Sequence, residues 1–320
     1  MEDQATSLRR LTPAAQVGRS FAFLGVSGCG VTTMVSEMAA GLTAAQRRTL
    51  IIDAHPGNPL AQRFVDDPGV TLDMVASSQG SLHDAVTQLP FGASVMNVHS
   101  RPSTLMHLPE PIEHRLVSEY EALTRDIELV LIDAPSVSTD PALAALADNL
   151  VLVLTPDIQT LMQAYAMVKR LALEFARRRF DVLVNRARDM NEAQAIFQRL
   201  SQVTSEFLGV SLRWVGFVPE DPMVRRAVLL RTTTLHGFPG SEAGTACSQL
   251  AAVLPRWSSV EHGNARQLFE RYLAATRHLA EEAATPLMMN RIADLTAFLP
   301  CLKPDTPALR LLVLLLRGRV

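Results

Sequence analysis

The feature that most constrains this chain is a set of short runs that are apolar almost from end to end. Residues 20–25, 49–53, 129–133, 150–154, 180–184 and 212–218 read as strands with no polar face. A strand without a polar face must be covered on both sides, which is the condition of a parallel sheet under helices. Residues 93–99 read as a weaker strand, and segments of helical length, 32–42, 160–178 and 191–208, separate the runs. The expectation is an α/β domain over residues 20–255, with a mostly parallel β-sheet and helices on both faces. Residues 264–284 and 287–299 read as helical and a Pro-flanked tail follows them; residues 285–320 together make a C-terminal extension with no assignable role.

Composition narrows the class. With 48% hydrophobic and 19% charged residues in 320, the chain is built for a packed core rather than for disorder. A net charge of −2 argues against a dedicated nucleic-acid binder. The dispersed Cys29, Cys247 and Cys301 match neither a metal finger nor a disulfide scaffold, which points to a reducing, cytoplasmic setting. No run reaches the roughly 18–20 apolar residues of a membrane span, and the N-terminus lacks the apolar core of a secretion signal.

The chemistry sits where the first strand ends. Gly25-Val26-Ser27-Gly28-Cys29-Gly30-Val31-Thr32-Thr33 follows a strand and opens a helix. Glycines let backbone N–H groups converge there, and the helix N-terminus adds partial positive charge, so the turn can cradle phosphate. Thr32 stands where a Mg²⁺-binding hydroxyl belongs, but Val31 takes the place of the usual lysine. A ligand-free glycine turn has the same local signature. Two apolar strands ending in Asp53 and Asp133 add carboxylates of the kind that help hold Mg²⁺ in phosphate-loop proteins.

Taken together these residues resemble the MinD/ParA class of P-loop ATPases (the MinD or SIMIBI type), and most closely the FlhG/FleN (YlxH-like) flagellar-number regulators. The family's KGGVGKT loop corresponds to residues 26–32, and its DxD to Asp53-Ala54-His55. Its third motif corresponds to Asp133-Ala134-Pro135. Residues 156–166, Asn185 at a strand end and the turn 215–221 resemble the family's later segments. The resemblance implies nucleotide contacts from Gly28, Cys29, Gly30, Val31, Thr32, Thr33, Asn185 and Pro219. It implies Mg²⁺ held by Thr32, Asp53 and Asp133, partly through water.

The departures carry their own expectation. Val31 replaces the lysine that touches the β- and γ-phosphates, Val26 the one that reaches across a dimer, and His55 the carboxylate that positions the attacking water. A lost charged hydrogen bond costs about 1.5–3 kcal/mol, or one to two decades of affinity. Hydrolysis is therefore expected to be weak or absent, with ATP or ADP and Mg²⁺ held weakly if at all and no assured catalytic residue beyond Asp53 and His55 at the switch position.

Two further elements follow from the resemblance. Residues 1–12 read as a short polar helix, and its Asp3, Gln4, Ala5, Leu8 and Arg9 resemble the DQAxxLR element, which in that family engages the signal-recognition-type GTPase FlhF. Residues 264–284 contain Phe269-Glu270-Arg271-Tyr272-Leu273, similar to the family's membrane-targeting helix. The resemblance implies that Leu268, Phe269, Tyr272 and Leu273 meet the membrane, and packing of the same face back on the sheet domain is equally open. The expected protein is a cytoplasmic regulator of flagellar number, peripheral to the inner membrane. FlhF, and flagellar C-ring or regulator proteins, are its partners, a homodimer is open and nucleic acid is not expected. An active ATP-dependent dimerising switch and an accessory protein of cellulose secretion are the alternatives.

Overall fold

The computed structural model describes residues 18–55, 59–77, 80–98, 105, 108–134, 142–257 and 265–284. The expected N-terminal helix and the tail beyond 284 lie outside them. An eight-stranded sheet runs through the described residues in the order β3-β4-β2-β5-β1-β6-β7-β8. Its strands are β1 (Arg19–Gly25), β2 (Thr49–Asp53), β3 (Val86–Gln88), β4 (Ser94–Asn97), β5 (Leu129–Asp133), β6 (Asn149–Leu154), β7 (Arg179–Ala187) and β8 (Ser211–Pro219). Every pairing is parallel except that of β3 with β4.

The strands form where the sequence is apolar because both of their faces are covered. β2, β5 and β6 are buried at every residue. The antiparallel edge strand β3 was not expected: three residues, Val-Thr-Gln, carry no periodicity to detect, and only pairing with β4 defines them.

Helix α1 (Val31–Ala44) returns the chain from β1 to β2. The short α2 (Pro59–Gln62) and α3 (Leu72–Ser77) follow β2, and α4 (Glu110–Thr124) leads into β5. Then come α5 (Ala142–Ala145), α6 (Ile158–Glu174) and α7 (Met190–Leu208). After β8 lie α8 (Pro222–Leu229), α9 (Thr234–Gly237), α10 (Glu242–Val253) and α11 (Leu268–Ala284). Helix starts are marked chemically. Asp157, Asp189 and Asp221 each accept a backbone N–H at the first turn of α6, α7 and α8. Gly209, at φ 59°, ends α7.

α1 packs with α9 and α10, while α6 lies against α7. From β1 the chain crosses to β2 on one side and reaches β6 on the other. That reversal leaves a crevice above the carboxyl ends of the central strands. Gly25, Asp53 and Asp133 all end their strands at that edge, and Asp53 is the register partner of Asp133.

Candidate functional site

Residues 26–30 make the whole turn between β1 and α1. Gly30, the residue before the helix, has φ 90°. A Cβ there would lie 2.5 Å from Asn185 Nδ2, so both conformation and space demand glycine. Asn185 Nδ2 donates to the Cys29 carbonyl at 2.8 Å, tying the end of β7 to the loop. Val26 and Val31 are buried at 8% and 7% exposure, turned in where lysines would reach out. The Cys29 sulfur and a Val31 methyl fill the space over Gly25, 2.3 and 2.8 Å from where a Cβ would stand. Burial pushes the Cys29 thiol up to about 12, so it stays protonated.

Beside the loop lie the carboxylates. Asp53 is fully buried; its Oδ1 accepts the His55 N–H at 3.0 Å and its Oδ2 the Leu60 N–H at 3.2 Å. Asp133 is equally buried, but among the described residues neither of its oxygens has a hydrogen-bond partner. Burial pushes Asp133 up to about 7, while the neighbouring Thr32 hydroxyl and the Arg63 charge pull it down. Asp53 is raised as well, first by burial and then by the charge of Asp133. Two buried carboxylates side by side with one unsatisfied fit the donor set of a divalent cation. Thr32, Asp53 and Asp133, named from the sequence, are thus brought together.

His55 closes the cluster, with Nδ1 3.5 Å from Asp133 Oδ1 and 3.8 Å from Asp53 Oδ1. Burial lowers its proton affinity, partly offset by Asp53. Arg63 was missed in the sequence, where it belongs to no motif and stands ten positions past Asp53. Its Nη1 donates to Thr33 Oγ1 at 3.0 Å, and its charge is felt by both carboxylates. A guanidinium therefore reaches the loop from the other side, where the loop itself has no cation.

Gly28, Gly30, Thr33, Asn185 and Pro219 line one cleft of about 460 Å³, together with Arg186, Asp221, Val224 and Arg225. That size suits a nucleoside. A second cleft, of about 420 Å³, lies at the other end of the sheet against Arg177, Arg178, Arg179 and Arg213. Several of its arginines already serve the fold: Arg213 grips Asp181 at 2.7 and 2.8 Å, and Arg177 and Arg178 donate to backbone carbonyls.

Of the two outcomes open for the C-terminal helix, lipid or packing on the domain, the structure holds the packed one. Leu268, Phe269, Tyr272 and Leu273 do not face outward; each is at most 5% exposed. α11 packs on α4 and α5, with Phe269 stacked on Tyr120 at 5.2 Å and Arg277 bonded to Glu113 at 2.9 Å. Both sides of that contact are apolar, so burial wins over exposure. Asp3, Gln4, Ala5, Leu8 and Arg9 lie outside the described residues. No helix among the described residues is long and apolar enough to cross a membrane.

A family model described as cellulose biosynthesis protein BcsQ matches residues 19–210. The antiactivator FleN of Pseudomonas aeruginosa is 27% identical over 237 residues, 73% of this chain and 84% of that protein. An uncharacterised ATP-binding protein of Methanocaldococcus jannaschii is 27% identical over 238 residues, 72% of this chain and 84% of its own length. Among solved structures, the MinD cell division protein of Aquifex aeolicus superposes with a TM-score of 0.57 at 17% identity, covering 76% of this chain and 99% of its own. The MinD of Pyrococcus horikoshii complexed with Mg-ADP gives 0.57 at 19% identity, over 76% and 98%. These structures establish a MinD-type fold, an α/β P-loop architecture.

Proposed function

The chain belongs to the family of the cellulose biosynthesis protein BcsQ, and from that footing we propose that it is a MinD-like regulator of flagellar number or placement that hydrolyses ATP weakly or not at all. One observation carries the regulatory reading: the loop keeps its turn, its helix and its carboxylates while Val26 and Val31 pack inward. Phosphoryl transfer depends on placed charge, and the loop has given up the charges that act on the phosphates. The flagellar assignment is supported by the likeness to FleN and by Asp3, Gln4 and Ala5 in an element resembling one that engages an FlhF-type GTPase.

In this reading ATP or ADP occupies the cleft between Asn185 and Pro219, with its phosphates at Gly28, Cys29, Gly30, Val31, Thr32 and Thr33. Mg²⁺ sits at Thr32, Asp53 and Asp133, which the unsatisfied Asp133 oxygens suit. Arg63 supplies the remaining cation. The protein works in the cytoplasm at the inner-membrane surface, where α11 must leave its seat to bind lipid. Burying a Leu or Phe contributes about 1.5–3 kcal/mol each. Leu268, Phe269 and Leu273 therefore hold α11 by roughly 5–9 kcal/mol, an upper bound that lipid must offset.

The deciding experiment is GTP turnover by an FlhF-type partner, with the full chain and with a chain lacking residues 1–12. Stimulation that disappears with the deletion supports the adaptor; stimulation that survives it, or never occurs, overturns it. The family description favours a second reading, an accessory role in cellulose secretion. Co-purification of cellulose-synthase subunits in place of the GTPase would select that one.

A further inference from the structure

Asp53 and Asp133 emerge side by side from paired strands, and the chain then turns so that His55 folds back over both. The three side chains bring one ligand atom each to within 4.8 Å of one another. Hydrogen bonding does not account for the arrangement. An N–H···O bond spans about 2.7–3.2 Å, whereas His55 Nδ1 stands 3.5 and 3.8 Å from the two carboxylates. Both Asp133 oxygens and His55 Nδ1 are buried and make no hydrogen bond of good geometry among the described residues, although the Thr32 hydroxyl lies near Asp133 and the Asp133 backbone near His55. Asp53, by contrast, satisfies the backbone around it and is fixed in place.

The separations match a shared ion better than a shared proton. Ligands about 2.1 Å from a tetrahedral metal lie about 3.4 Å apart. The two His55–carboxylate separations, 3.5 and 3.8 Å, already lie within a few tenths of an ångström of that spacing. The cation facing the pair, Arg63, donates its hydrogen bond to Thr33. We propose that Asp53, His55 and Asp133 form a site for a first-row transition dication of the Zn²⁺ and Co²⁺ kind, filled without nucleotide. The imidazole sets the preference: nitrogen with carboxylates suits Zn²⁺ or Co²⁺, while Mg²⁺ takes oxygen and keeps its waters. The site rests on these side chains and not on the proposed nucleotide binding.

The test is a titration of the untagged, metal-stripped, nucleotide-free full chain with Co²⁺, read by visible absorption. One equivalent should bind with the d–d bands of a low-coordinate site. Zn²⁺ should displace it stoichiometrically, and millimolar Mg²⁺ should not. His55→Ala should weaken Co²⁺ at least tenfold and alter the bands, and His55→Asp should move the preference toward Mg²⁺. Circular dichroism checks that each variant is folded. Four results overturn the proposal: no stoichiometric binding, equal competition by Mg²⁺, an unchanged spectrum in His55→Ala, or a thiolate charge-transfer band that moves the ion to a cysteine. With no nucleotide present, failure here leaves the nucleotide reading standing, and failure of that reading leaves the metal site standing.

Discussion

At the scale of single residues, the site is defined by substitutions that keep shape and remove charge. Valine at position 31 opens α1 as well as lysine would, since the first helical turn has no use for a particular side chain. On the proposed reading what is lost is a contact with phosphate, so restoring it should be visible directly. Val31→Lys is expected to tighten binding of a fluorescent ATP analogue about 10- to 100-fold, the return of a charged hydrogen bond. Unchanged affinity would mean that the turn is no phosphate cradle. The carboxylates, the loop glycines and His55 were legible because they follow strands or stand in a motif. Arg63 was not, because only folding carries a residue from beyond β2 back to Thr33.

At the scale of elements, contacts between helices decide two properties. Glu37 of α1 is buried and accepts the Thr234 and Leu235 N–H groups of α9. Burial raises its proton affinity above the ordinary value of 4.5, outweighing those hydrogen bonds. The folded state then binds more protons than the unfolded one, so stability falls as pH rises from 4.5 through the raised value. Thermal unfolding across that window should show the slope in the native chain and a shallower one in Glu37→Gln; identical slopes would clear Glu37 of the effect.

α11 is the other case. Its period announced an amphipathic helix, but not whether the apolar face meets lipid or protein. Tyr120, Glu113 and the neighbouring helices supply the protein answer. The Arg277–Glu113 pair is half exposed on the arginine side, so it is worth about 0.5–1 kcal/mol. If α11 is also the lipid-binding element, Glu113→Gln should raise co-sedimentation with anionic vesicles about two- to fivefold. No change would leave the helix purely structural.

For the whole molecule, the MinD-type architecture raises the matter of self-association. On the resemblance, nucleotide-driven pairing would use a lysine that reaches the second copy, and Val26 stands in its place. Light scattering with Mg-ATP should therefore return the mass of one chain, 35.0 kDa. A doubled mass that appears only with ATP would restore the dimerising switch.

The sequence alone determined the architecture, because strands buried on both faces must be apolar throughout and only a parallel sheet under helices accommodates them. It also determined which residues stand at strand ends and in the glycine-rich turn, since those positions are local to each element. Tertiary structure alone decided what the side chains meet. It seated α11 on the domain, brought Arg63 to Thr33, and set His55 between two carboxylates that lie 80 positions apart in the chain. Distances of that kind depend on strand order and packing, which no local pattern of residues records.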